Sequence, residues 1–231
     1  MHGFLIKEGW SKKTINGMRE LVSSMFKFAI EEGYIDKNPV RKTSNYYIPE
    51  KGKVIFFNDK QLEIIWSEIK PFWINHIKFM LNTGLRKGEM INLKWENVTI
   101  LETGMSITIT SSYEWLTKTG KSRTIPLNKT ATEIINKLKG RHDTYVFTNE
   151  KGLKIHPNQP YNALKNVLKL KNIPGDVHAL RHTFASNLVM KGVDLYSLSK
   201  LMGITPETAQ IYAHLSPDYL RKTIEKLDQP L

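Results

Sequence analysis

The sequence predicts a mainly α-helical protein with one small antiparallel β-sheet, divided into a short helical unit (residues 1–50) and a larger domain (51–231). Three observations predict it. Apolar residues recur every three or four positions through much of the chain, the period of a helix that buries one face. Only residues 105–110 and 122–127 have the short alternating pattern of strands. After Asn38-Pro39 the stretch 40–53 turns polar and basic, with Pro49 and Gly52, which is linker composition.

Taken in order, residues 11–32 read as a helix whose apolar stripe is Ile15, Met18, Val22, Met25 and Ala29. Ser11 can cap its start, and Gly33 stands where a C-terminal cap belongs. Asn58-Asp59-Lys60-Gln61 predicts the next helix start with reciprocal capping, followed by a buried stripe of Leu62, Ile65, Trp66 and Ile69. A second helix over 72–83 stops at Gly84. The two strands come next, with Lys118-Thr119-Gly120-Lys121 as the turn before the second. Helices are expected near 129–139, 158–171, 178–191 and 194–202. Two more begin at Thr205-Pro206 and Ser216-Pro217, each a capping hydroxyl followed by proline.

The formal charge of +12 implies an anionic partner, most often nucleic acid. Residues 1–53 hold ten Lys/Arg against six Asp/Glu, a surplus of +4, so +8 belongs to the rest. Charge spread through folded segments suits a protein that wraps a duplex better than one with a basic tail. The absence of cysteine excludes disulfides, thiolate metal sites and thiol nucleophiles. No apolar run is long enough to span a bilayer and no signal-peptide pattern opens the chain, so a soluble cytoplasmic protein is expected, without membrane attachment. A His-Glu-x-x-His pair, a dense carboxylate cluster and a phosphate-binding Gly-x-x-x-x-Gly-Lys loop are all missing, so the sequence predicts neither metal, ATP nor another cofactor.

The residues that carry chemistry cluster in short segments. His178 and Arg181 are three apart on one predicted helix, so they share a face and can present a proton carrier and a fixed charge to one phosphate. Arg86, after a helix-ending glycine, supplies a second guanidinium, a planar fork matched to phosphate oxygens. Tyr212 is the candidate nucleophile, with Tyr219 and Tyr196 as rivals. Its phenol ordinarily ionises near 10, so it needs a base, for which His178 is the nearest match. Lys118, or Lys121 three residues on, can protonate a departing oxygen. Glu89, one turn beyond Arg86, orients that arginine or caps its helix. His182 is either a supporting hydrogen-bonding residue or a buried structural histidine.

These residues resemble the tyrosine recombinase, or phage integrase, family over about residues 11–220. The matching pieces, in the family's order, are Thr83-Gly84-Leu85-Arg86 with Glu89, Lys118 through Leu127, His178-Ala179-Leu180-Arg181-His182, and Tyr212-Ala213-His214-Leu215. The resemblance implies the family's catalytic fold, cleavage of duplex DNA through a 3′-phosphotyrosyl bond at Tyr212, a free 5′ hydroxyl, and rejoining without a cofactor. It implies Arg86, Lys118, His178 and Arg181 in the roles above, with Glu89, His182 and Lys121 supporting. Residues 11–39 resemble the end of the family's helical core-binding domain. A homotetramer on DNA is implied, with 217–228 packing on a neighbour, and accessory DNA-bending or directionality proteins as further partners. The integrase of a phage or other mobile element is the function expected.

Two departures are visible. The family usually places a histidine or tryptophan after Leu-x-Gly, where this chain has Ile204 after Leu201-Met202-Gly203. His214, two positions past Tyr212, points about 200° around a helix from it and is a poor substitute. Losing one such donor costs on the order of 10²–10³ in rate. The core-binding part also lacks its first helices, as in a short, truncated or degenerate copy. A catalytically weak or inactive DNA binder, and relaxation of DNA in the manner of a type IB topoisomerase, therefore stand as alternatives.

Overall fold

A computed structural model describes residues 2–42, 44–47, 54–110 and 122–216. Lys118, Lys121, Tyr219, the predicted helix after Ser216 and the 217–228 segment lie outside the described residues. The chain divides into two units, Met1–Lys53 and Val54–Leu231.

The first unit contains α1 (His2–Lys7) and α2 (Lys12–Glu31). Ser11 caps α2 by accepting the Thr14 N–H at 3.1 Å, and Gly33 takes the left-handed conformation (φ 76°) that ends it. The apolar stripe is only partly covered, with Val22 and Ala29 half-buried. Ile15 is buried, but Met18 and Met25 are 43% and 63% exposed, and so are the neighbouring Leu21 and Phe28 at 64% and 60%. The chain returns to α2 at Asn16 instead. The buried Asn16 side chain donates to the Tyr46 carbonyl and accepts the Tyr46 N–H, both at 2.9 Å. Part of the predicted linker is thus ordered, as a 3-10 turn over Pro39–Lys42 and an extended run at 44–47. A buried carboxamide paired on both sides avoids the cost of an unsatisfied polar group.

The second unit opens with α3 (Asp59–Glu68), where the reciprocal cap is present: Asn58 Oδ1 accepts the Gln61 N–H at 2.9 Å and Gln61 Oε1 the Asn58 N–H at 3.0 Å. Leu62, Ile65 and Ile69 are buried beneath it, with Trp66 half-buried. Helix α4 (Pro71–Thr83) starts with proline at its first position and ends at Gly84, φ 63°. A Cβ on Gly84 would collide with the Phe184 ring, so glycine is required by both backbone and space. The short α5 (Lys87–Ile91) follows.

The sheet has three strands rather than two: β1 (Val98–Leu101), β2 (Gly104–Ile109) and β3 (Arg123–Pro126), antiparallel in the order β1-β2-β3. β1 escaped the sequence reading because it is an edge strand with Thr99, Ile100 and Leu101 exposed, so no in-out alternation marks it. Helices α6 (Lys129–Leu138), α7 (Asn158–Leu170) and α8 (Val177–Met190) pack against α4, and all three lie within two residues of expectation. Their apolar faces, with Phe147, Leu85 and Ile107, form one continuous core. Helix α9 (Leu195–Met202), α10 (Pro206–Ala209) and the 3-10 turn Gln210–Leu215 gather a smaller second cluster against the end of α8. Thr205 caps α10 as expected, but that helix lasts one turn before tightening. Among the described residues no helix is long and apolar enough to cross a membrane.

Candidate active site

The αL turn at Gly84 releases the chain from α4 and sends Arg86 to the N-terminus of α5. There its backbone N–H donates to Glu89 Oε2 and its guanidinium Nη1 to Glu89 Oε1, each at 2.8 Å. The sequence left Glu89 as an orienter or a cap, and it is both. Its side chain is 1% exposed. Arg123, the first residue of β3, completes the arrangement with Nη1 to Glu89 Oε1 at 3.0 Å and Nη2 to Oε2 at 2.6 Å. Burial works against the Glu89 carboxylate, but the bonds and charge of Arg123, then those of Arg86, outweigh it and hold its pKa below the ordinary value.

Arg181 is buried on α8, donating Nη1 to the Gly84 carbonyl at 2.5 Å and Nη2 to the Met202 carbonyl at 2.6 Å. Burial, and then the charge of Arg86, pull its pKa down to about 9, which still leaves it cationic at neutral pH. Arg86, Arg123 and Arg181 around the single carboxylate of Glu89 leave two positive charges in excess. Arg86 and Arg181 face an open cleft of about 230 Å³, lined also by His178, Lys87, Asp176 and Tyr161. Such a basic concavity with a histidine on its rim is suited to one phosphate group.

The exposed His178 starts α8, its N–H bonded to the capping Asp176 Oδ1 at 2.7 Å. One turn on, the His182 ring meets it edge-to-face with centroids 4.7 Å apart. His182 Nδ1 lies 2.7 Å from the Tyr212 hydroxyl. Tyr212 belongs to the second apolar cluster and is 1% exposed. Burial pushes its phenol up to about 12, with the Arg181 charge opposing. The structure therefore stows the tyrosine against His182 and leaves it off the lining of the arginine cleft. Of the rival tyrosines, Tyr196 is 62% exposed on α9 with Lys200 Nζ over its ring at 5.0 Å. Tyr219 lies outside the described residues, as do Lys118 and Lys121.

Ile204 packs against the second cluster, and its N–H is used by the Ser199 carbonyl at 3.1 Å. His214 is exposed while Tyr212 is buried, so the two do point apart. Among the described residues no group of three or more His, Asp or Glu side chains is placed to hold a metal ion.

Arg123 was given no role from sequence. Its signal was there: it shares strand parity with Ile125, which is 1% exposed, so an arginine was directed inward. Tyr161 was missed as well. Lys87 and Lys165 both lie over its ring, at 5.3 and 5.4 Å, and Lys87 also lines the cleft.

Known proteins resemble this chain in sequence and in fold. Residues 59–218 match the Phage integrase family. The chain is 27% identical to a tyrosine recombinase XerC-like protein of Caldanaerobacter subterraneus, over 97% of this chain and 68% of that protein. It is 30% identical to tyrosine recombinase XerA of Pyrococcus furiosus, over 95% and 76%. Among solved structures, the Tn1549 transposon integrase in complex with transposon right end DNA superposes with a TM-score of 0.74 at 22% identity, covering 97% of this chain and 82% of that one. A lambda integrase tetramer bound to a Holliday junction superposes at 0.69 and 19% identity, covering 88% and 61%.

Proposed function

Because the chain belongs to the phage integrase family, whose match spans most of the second unit, we propose that it is a site-specific DNA recombinase that cuts and rejoins duplex DNA through a 3′-phosphotyrosyl intermediate. The observation that carries this reading is the Arg86–Arg181 cleft with His178 at its rim and Tyr212 hydrogen-bonded to His182, one turn past His178 on α8.

In this reading the scissile phosphate occupies the cleft, and the forks of Arg86 and Arg181 neutralise charge that grows on its non-bridging oxygens. Tyr212 leaves its apolar cluster, loses its proton to His178, and its oxygen forms a bond to phosphorus. The bond from phosphorus to the 5′ oxygen breaks, and Lys118, or Lys121, protonates the departing oxygen. His182 holds the phenol until DNA is in place. The 5′ hydroxyl of another strand then attacks the phosphotyrosyl bond and releases Tyr212. Each phosphodiester is exchanged for a phosphotyrosyl and back, so no ATP is consumed.

The lambda integrase match is a tetramer on a Holliday junction. We extend that assembly to this chain as a homotetramer on DNA, with the 1–53 unit belonging to a core-binding domain and accessory DNA-bending or directionality proteins as further partners. The integrase of a phage or other mobile element is the biological role this reading favours. Ile204 favours one second reading, a DNA binder with weak catalysis, since its side chain cannot donate to a phosphate.

Covalent capture tests these readings. Wild-type and Tyr212→Phe proteins are incubated in EDTA with a pool of nicked suicide duplexes, denatured, and the protein-linked DNA is sequenced. Adducts that need Tyr212 and cluster at one motif support the recombinase. Scattered Tyr212-dependent adducts favour topoisomerase-like relaxation. DNA binding without adducts supports the weak-catalysis reading.

A further inference from the structure

We propose that Arg123 is a positioning residue for strand cleavage, a side chain that ties Glu89, and through it the phosphate-facing Arg86, to the turn leading into the tyrosine segment. The proposal rests on the recombinase reading above. The Arg123 side chain is 8% exposed, and its donors are turned inward. Its two terminal nitrogens take both oxygens of Glu89, and its Nε donates to the Leu201 carbonyl at 3.0 Å. Glu89 in turn holds Arg86 by backbone and guanidinium together. All three Arg123 nitrogens are thus engaged by Glu89 and Leu201, Arg123 is not part of the cleft lining, and it acts on the cleft through those two partners.

The other end of this connection is the C-terminus of α9. Three successive carbonyls there accept from three different arginines: Leu201 from Arg123, Met202 from Arg181 at 2.6 Å, and Gly203 from Arg86 at 3.5 Å. Terminal helix carbonyls carry the negative end of the helix dipole and lack intrahelical partners, so guanidinium groups satisfy them well. Gly203 sits in the left-handed region at φ 61°, and a Cβ there would lie 2.8 Å from Arg123 Cδ and 2.9 Å from its Nη1. The Arg123 side chain thus fills the space that any other residue at 203 would need. Position 204 contributes no polar side chain, so the turn is held to the cleft by its backbone.

Lysine keeps the buried charge but lacks the fork that spans Glu89 and Leu201 at once. Arg123→Lys and Arg123→Gln are compared with wild type in three measurements: duplex affinity for the nicked pool, single-turnover adduct formation at saturating protein, and hydrogen exchange of the 199–212 segment. For folded Arg123→Lys we expect duplex affinity within about threefold of wild type. Adduct formation should slow by about 10²-fold, the cost of misplacing reacting groups by about 1 Å. Exchange protection should be lost at 199–212 and kept in α4. Adduct formation within about twofold of wild type in either folded variant overturns the proposal. If wild type itself forms no adduct, the recombinase reading falls. The exchange arm then decides alone: unchanged protection at 199–212 in Arg123→Lys overturns Arg123 as the anchor of that turn.

Discussion

The hydroxyl of Tyr212 lies 2.7 Å from Nδ1 of His182, one helical turn past His178, inside an apolar cluster that leaves the tyrosine 1% exposed. The proposed nucleophile is therefore stored neutral and hydrogen-bonded rather than presented to the cleft. Alkaline titration followed at 295 nm, wild type minus Tyr212→Phe, should reveal a tyrosinate with a midpoint near 12, above the ordinary 10. The sign is that of an acid raised on folding. Its contribution to stability is complete below pH 10 and disappears as pH rises through 12. A midpoint near 10 would show that the stored conformation is not the one in solution.

Glu89→Gln should be strongly destabilising. Breaking a buried ion pair from one side leaves uncompensated charge and costs about 3–5 kcal/mol, here with Arg86 and Arg123 both losing their carboxylate. The folded pKa of Glu89 is depressed, so its contribution is present above the ordinary carboxylate value and is lost as pH falls through the depressed one. Urea denaturation from pH 7 down to pH 3 should show a steeper loss in wild type than in Glu89→Gln.

His76 provides a second acid-sensitive point, remote from the cleft. It is buried among Phe72, Trp73 and Phe147, with its two ring nitrogens near the Phe72 and Thr148 carbonyls at 3.2 and 3.1 Å. Burial lowers its pKa to about 4 despite those carbonyls. The unfolded chain binds a proton near 6.5 and the folded protein does not. Stability is thus fully present above 6.5 and falls as pH drops from there to 4, by on the order of 3 kcal/mol. Between pH 7 and 5 wild type should lose more stability than His76→Gln; equal losses would contradict the assignment.

Gly84→Ala should cost about 1–3 kcal/mol from left-handed strain alone, and more from its collision with Phe184. Adding Phe184→Leu should recover the collision component and leave the strain, measured as thermal midpoints of the two variants. If the double variant is no more stable than the single one, the ring is not what excludes a side chain at 84.

Much of the fold was legible because its signals are local. The Asn58 and Gln61 cap, Ser11, Gly84 and Thr205-Pro206 each act within three or four residues, so they read directly from the chain. The edge strand β1 was not legible, since an exposed strand does not have to alternate. The apolar stripe of α2 was read from its period, yet two of its members, Met18 and Met25, remain exposed, as do the neighbouring Leu21 and Phe28. Periodicity records which face is apolar and says nothing of what covers it.

By itself the sequence determined the helical framework, the small sheet, the basic character and the order of the chemistry-bearing segments, because propensity, capping and charge are properties of neighbours along the chain. Only the tertiary structure decided that Arg123 joins Glu89 from a strand 34 residues away, that three arginines share the end of α9, and that His182 reaches Tyr212 across 30 residues. Those pairings depend on burial and on the meeting of distant elements. A guanidinium or a phenol has the same chemistry anywhere in a sequence, and only its surroundings in the fold determine whether it is buried, paired or exposed.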